Sequence, residues 1–307
     1  MERTIPEAVL GALANVLLVL ASAPFFQGVL RKIMARIQSR QGPPIFQPYY
    51  DLLKLLGKED LESGEVPVLQ RLASYFSLAT ILTLSTFVPL GFRPPLAGAG
   101  DVTVLIYLLM LSGICTLLAG LTAGSTYALV GTSREMMTML ALEPILAAAL
   151  MVGALHAGSF RLDAVLDGSV YAGPSPASGL AMLIVMLLAF QAFVGRVPFD
   201  ISEAETEIME GPLLEYSGRK LALFRWAQMA KLVVHSAIFI ALFMPLGPRL
   251  PFPLGFLAFW GEVFLLVILV TLIASTHARY RIDQAIRYYA GLLAVSFGAL
   301  ALASYGL

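Results

Sequence analysis

Apolar runs about as long as a bilayer is thick alternate along this chain with short polar segments. A helix needs roughly 20 apolar residues to cross the hydrocarbon, and eight stretches meet that length loosely: 8–30, 73–91, 102–123, 136–157, 179–195, 227–246, 254–276 and 288–306. The runs are continuous and do not alternate every second residue, which excludes a β-barrel. The pattern predicts an all-α, polytopic membrane bundle of about eight transmembrane helices with cytoplasmic amphipathic and loop helices. It is read as a single integral membrane domain over 1–307, with no soluble domain and no low-complexity linker.

The 307 residues are 58% hydrophobic and 13% charged, with a mean hydropathy of +0.82. Twenty basic and 20 acidic residues leave no net charge, so the basic field that nucleic-acid binding requires is missing. A single cysteine, Cys115, cannot form an internal disulfide, a CxxC zinc site or a four-thiolate iron–sulfur cluster. Any redox centre is therefore expected elsewhere. The opening MERTIPE shows no signal-peptide cleavage pattern, so the first span is expected to stay. With Lys and Arg assigned to alternate sides of the eight spans, fifteen fall on one side and four on the other, Lys231 lying inside a span. The positive-inside rule then places both termini outside and the 31–72 and 196–225 loops in the cytoplasm.

Those two loops carry most of the unusual chemistry. In the first, Arg31, Lys32, Arg36 and Arg40 lead into Gly42-Pro43-Pro44, which stops a helix. Beyond it, Tyr49, Leu52, Leu53 and Leu56 are expected to form a stripe opposite Asp51, Lys54 and Lys58, as on a helix lying along the membrane surface. Taken by itself, this segment is read first as a basic loop that sets topology and touches lipid headgroups. The second loop, RVPFDISEAETEIMEGPLLEYSG, holds six carboxylates: Asp200, Glu203, Glu205, Glu207, Glu210 and Glu215. Ser202 and Glu205 read as a capping box and Gly211-Pro212 as a stop, predicting a two-turn helix over 203–210 with Glu203, Glu207 and Glu210 on one face. Like charges so placed repel and raise one another's proton affinity. A solvated acidic face, or one neutralised by Arg196, Arg219 and Lys220, is the plainer alternative.

Four ionisable residues lie inside spans: Glu143, Lys231, His235 and Glu262. A charge at the bilayer centre costs roughly 2.5 kcal/mol or more and usually faces a polar interior. At about 1.5 Å per residue, Glu143, Lys231 and His235 lie about 10, 6 and 12 Å from the cytoplasmic ends of their spans, close enough to share a layer. Glu262, about 20 Å from that end, is expected to belong to a staggered chain and not to pair with Lys231. Pro144 removes a helical donor beside Glu143 and is expected to kink the span and admit water. The plainer alternative makes Glu143 and Lys231 a buried structural ion pair.

ARIQSRQGPPIFQPYYDLLKLLGKE, GTSREMMTMLALEP, the acidic loop and ARYRIDQAIRYY resemble the membrane subunit that joins the two arms of respiratory complex I (the subunit 1 family), and its counterpart in membrane-bound energy-converting NiFe hydrogenases. The resemblance covers nearly the whole chain. EGPLLEYSG, with Glu210-Gly211-Pro212 where complex I typically has Ala-Gly-Tyr, is similar to the hydrogenase branch. So are Lys231 in FRWAQMAKLVV, GDVTVLIYLL around Asp101, Gly124-Ser125 and SREMM, which look like formate hydrogenlyase subunits. ARYRIDQ, with Asp283, is closer to complex I. Glu262 departs from both groups, which tend to carry a lysine in that span.

The resemblance implies a subunit of a prokaryotic inner membrane with no cofactor and no catalytic residue of its own. Its implied partners are a hydrogenase large subunit with the NiFe centre, a small iron–sulfur subunit with 4Fe–4S clusters, antiporter-like membrane subunits and lipid. It further implies that Asp200, Glu203, Glu205, Glu207, Glu210 and Glu215 begin a glutamate-lined proton path. Glu143 would be the first intramembrane site, with Lys231, His235 and Glu262 as further candidates. Arg36, Arg40, Asp51 and Lys54 would shape the interface that is a quinone chamber in complex I. Three other readings remain open at this point: a quinone-binding complex I subunit, a free-standing secondary transporter, for which Pro144 lacks a mate in a second half, and a passive anchor.

Overall fold

The computed structural model describes residues 5–61, 66–167, 176–244 and 250–306. Among these residues the regular structure is helical, apart from one isolated bridge between Asp101 and Arg161. In chain order the helices are α1 (Ile5–Ile37), α2 (Gln47–Leu56), α3 (Pro67–Phe87), α4 (Val102–Thr122), α5 (Thr126–Ala157), α6 (Leu162–Val165), α7 (Pro176–Phe193), α8 (Glu205–Ile208), α9 (Gly218–Phe243), α10 (Leu254–Thr276) and α11 (Ile282–Ser304).

Each of the eight apolar stretches is a long helix. Six of these, α1, α4, α5, α9, α10 and α11, are long and apolar enough to cross a membrane, and Ala177–Phe193 is a shorter apolar helix. In α3 the hydroxyls of Ser74, Thr80, Ser85 and Thr86 dilute the apolar surface. They are satisfied locally, each donating to a carbonyl three or four residues back in its own helix, so α3 packs among the other helices with these four hydroxyls paired.

The helices overrun the apolar stretches on the basic side. α1 continues to Ile37, α5 starts at Thr126 and α9 starts at Gly218, each carrying arginine in this overrun, with the acid Glu135 in that of α5 alone. A helix needs apolar residues only where lipid surrounds it, and tertiary pairing supports the remainder. α5 continues as one helix through Pro144, and α1 through Pro24.

α9 is the central element. Residues Leu232 to Phe243 are all buried, and the helix packs against α1, α2, α3, α7 and α10, as expected of a helix that is apolar all round. α5 packs against α4, α7 and α11. Backbone crossings are close where glycines permit it. A Cβ on Gly28 would sit 1.8 Å from the Ile45 carbonyl oxygen, and one on Gly131 would sit 2.7 Å from the Gly211 Cα. The first contact folds the Gly-Pro-Pro segment back onto α1, and the second seats the acidic loop on α5.

Two local expectations are corrected. The segment 203–210 is not a two-turn helix. A 3-10 turn at Ile201–Glu203, the single turn α8 and a second 3-10 turn at Gly211–Leu213 follow one another. Ala204, without a side-chain cap, precedes α8, so the Ser202/Glu205 capping box is absent. Met209 and Gly211 take positive φ values of 58° and 55°, which breaks the helix and separates Glu203, Glu207 and Glu210. The loop is bent because it must descend onto Gly131. In α2, Leu52 is buried, but Leu53 is 65% exposed and faces outward together with Phe46 and Tyr50. The predicted apolar stripe is therefore divided between two faces.

Candidate functional site: a polar chamber beneath the acidic loop

The acidic loop is held down by arginines from three other parts of the fold. Arg279 grips Asp200 through two contacts of 2.6 and 2.7 Å. Arg134 on α5 meets Glu207 at 2.6 Å and also donates to the Ile201 carbonyl at 3.4 Å. Arg225 on α9 meets Glu210 at 2.7 Å and lies 4.0 Å from Glu203, which also accepts a hydrogen bond from the Gln228 amide. Arg196 donates to the Gln27 side chain of α1. Of the three bases expected to neutralise the loop, Arg196 stays with it and acts electrostatically on Glu203 and Asp200, whereas Lys220 pairs with Asp60 at 3.5 Å and Arg219 is exposed.

Beneath this clasp lies a chamber of about 170 Å³, lined by α1, α3, α4, α5, α7, α9 and α11 together with the loop. Its polar lining includes Asp200, Glu203, Glu143, Lys231 and His235. Glu143 and Lys231 act on each other electrostatically across it, yet among the described residues they form no ion pair within 4.0 Å. They are not a buried salt bridge. His235 has Nδ1 2.9 Å from the Lys231 carbonyl oxygen, so Nδ1 donates there; Phe193 packs against the ring.

Glu203 is 33% exposed and lines the chamber, so protein encloses it around a polar cavity. That enclosure raises its proton affinity above the ordinary carboxylate range; Arg225 opposes the rise and Glu135 adds to it. Burial also lowers the Arg196 guanidinium from its usual value, with Glu203 working against the shift. A carboxylate and a guanidinium lining one chamber, each disfavoured as an ion, make its mouth responsive to a change in nearby charge.

The other predicted site residues lie apart from the lining. Glu207 and Glu210 are tied to arginines at the rim, and Glu215 is half-buried outside the chamber. Glu205 opens α8, but its side chain lies outside the described residues. Glu262 is buried on α10 and does not line the chamber. Arg36, Arg40 and Lys54 are exposed. Asp51 reaches the chamber only indirectly, through a 3.0 Å pair with Arg31, which does line it.

Sequence reasoning passed over Glu135, Arg225, Gln228 and Tyr289, which also line the chamber. Glu135 and Arg225 stand on the helix overruns, so a hydropathy window assigns them to loops. Among the described residues no group of three or more His, Cys, Asp or Glu side chains is arranged to hold a metal.

The sequence profile described as NADH dehydrogenase matches residues 10–304. The chain belongs to that family. Among curated members it is 39% identical to hydrogenase-4 component C of Escherichia coli, over 78% of this chain and 76% of that one. It is 34% identical to formate hydrogenlyase subunit 4 of the same organism, over 90% and 92%. An NADH-quinone oxidoreductase subunit of Anaplasma phagocytophilum is 30% identical over 90% and 89%. A chain of the membrane-bound sulfane sulfur reductase, an archaeal respiratory membrane complex of known structure, aligns with a TM-score of 0.87 and 25% identity over 97% of this chain and 99% of that one. The family resemblance read from the motifs, with its hydrogenase and complex I branches, is thus established.

Proposed function

We propose that this chain is the membrane subunit of an energy-converting hydrogenase in a prokaryotic inner membrane. In this reading it docks a hydrogenase large subunit and a small iron–sulfur subunit over the acidic loop. It couples their redox reaction to translocation of protons, or sodium ions, through Glu143 and the antiporter-like subunits. The observation that carries the reading is the chamber, which joins the partly buried carboxylate Glu203 at the loop to the intramembrane groups Glu143, Lys231 and His235. Reduction of protons to H2 in the partner changes charge above the loop, shifts proton affinity at Glu203 and biases occupancy at Glu143. Electrons do not enter the chain.

The relatives of 39% and 34% identity favour the hydrogenase branch over the quinone-reducing one. A chamber of about 170 Å³ also falls below the roughly 300–1,000 Å³ of small-molecule pockets, a size suited to water. The test is to purify the intact complex through a tag on this subunit and measure nickel, H2 evolution and quinone reductase activity together. Nickel with H2 evolution is the expected result. Quinone reduction without nickel would move the chain to the complex I branch.

A further inference from the structure

The route just described leaves a gap between the loop and Glu143, and one unused carboxylate stands in it. Glu135 lies on α5 two turns before Glu143, on a stripe with Thr138, Met139, Leu142 and Leu146 that lines the chamber wall. Its charge acts on Glu143, on Glu203 in the loop and on Tyr289 of α11. Along the helix axis Glu135 and Glu143 are separated by about 12 Å. Proton transfer needs hydrogen-bond reach of about 3 Å, directly or through water, and the chamber has room for several waters.

Glu135 also differs from its acidic neighbours in how it is held. Asp200, Glu207 and Glu210 each contact an arginine at 2.6 to 2.7 Å. Such a carboxylate must give up its ion pair to take a proton, leaving a partly buried guanidinium uncompensated. Among the described residues the Glu135 carboxylate makes no ion pair; the neighbouring Arg134 is turned to Glu207. The charged and titratable groups sharing the chamber with it are Glu143 on its own helix, Asp200, Glu203 and Arg196 from the loop, Arg225, Lys231 and His235 from α9, Arg31 from α1 and Tyr289 from α11.

We propose that Glu135 is the relay residue between the acidic loop and Glu143, taking a proton at its carboxylate from the Glu203 side and passing it through chamber water to Glu143. Each transfer converts the donor carboxyl to a carboxylate and the acceptor carboxylate to a carboxyl, so the charge of the three groups together is conserved. Asp200, Glu207 and Glu210 then serve to clasp the loop and do not carry protons. The inference rests on the coupling role proposed above.

The test uses the whole complex in proteoliposomes, reading protons translocated per H2 by dye quenching for wild type, Glu135→Gln, Glu135→Asp and Glu143→Gln. Loss of about tenfold or more is expected for Glu135→Gln, the lower range for a removed acid–base group, with substantial recovery in Glu135→Asp and a comparable loss in Glu143→Gln. Wild-type translocation by Glu135→Gln beside a failed Glu143→Gln would overturn the relay alone. Wild-type translocation by Glu143→Gln would overturn the coupling role beneath it. Infrared difference spectra on changing pH separate relay from scaffold: a carboxylic C=O band that moves in Glu135→Asp is expected, and a band unmoved by that change would refute the proposal.

Discussion

At the scale of single residues, the acidic loop divides into carboxylates that bind arginine and carboxylates that face the chamber. Glu203 belongs mainly to the second group. Its folded-state proton affinity is raised by burial, so its ionisation opposes folding: the cost is absent below the ordinary carboxylate pKa and appears as pH rises through the folded value. Glu203→Gln removes that cost. The variant is therefore expected to melt above wild type near pH 8, the gap closing as pH falls toward 4.5, in thermal scans of the detergent-solubilised complex. A gap that widens on acidification would contradict this assignment. Arg225, which holds both Glu210 and Glu203, belongs to the clasp. Arg225→Met is expected to destabilise by on the order of 1 kcal/mol, since the pairs are partly exposed. Part of that loss should be recovered by adding Glu210→Gln, in a double-mutant cycle read by the same melting assay.

At the scale of elements, the periodic parts of the chain were legible and the aperiodic parts were not. All eight long helices follow from apolar length, because burial in lipid or protein is what the apolar runs record. Their polar overruns were invisible for the same reason: a hydropathy window ends α1 near residue 30, whereas Arg31 and the residues up to Ile37 remain helical. The loop between α7 and α9 failed differently. Its capping-box letters are present, but the approach of Gly211 to Gly131 overrides them, and no local pattern announces a contact across 80 residues. Gly211 carries this contact, with φ +55° and a would-be Cβ 1.9 Å from the Ser202 carbonyl oxygen. Gly211→Ala is expected to cost more than about 2 kcal/mol, seen as a lower melting temperature of the tagged subunit in detergent. Unchanged melting would mean that the loop does not depend on this contact.

At the scale of the molecule, the arginine-rich ends of the helices, the clasped loop and the chamber all lie at one end of the bundle, and from the charge asymmetry we propose that this end faces the cytoplasm. In a Cys115→Ser background, Tyr305→Cys is expected to react with a membrane-impermeant maleimide in spheroplasts and Lys58→Cys only in inverted vesicles; the opposite pattern would reverse the orientation. The candidate site was half legible in the chain. Glu143, Lys231 and His235 stood out because charge inside an apolar run is conspicuous, and the chamber does bring them together. Glu262 stood out for the same reason but is buried on α10 away from the lining. Glu135 and Tyr289 became visible only once α5 and α11 were packed side by side. The central claim is that the chamber links redox chemistry above the loop to ion movement through Glu143. It is tested most directly by reconstituting the Glu143→Gln complex in proteoliposomes and recording H2 evolution and internal acidification together: the account predicts H2 without acidification, and acidification at the wild-type ratio would contradict it.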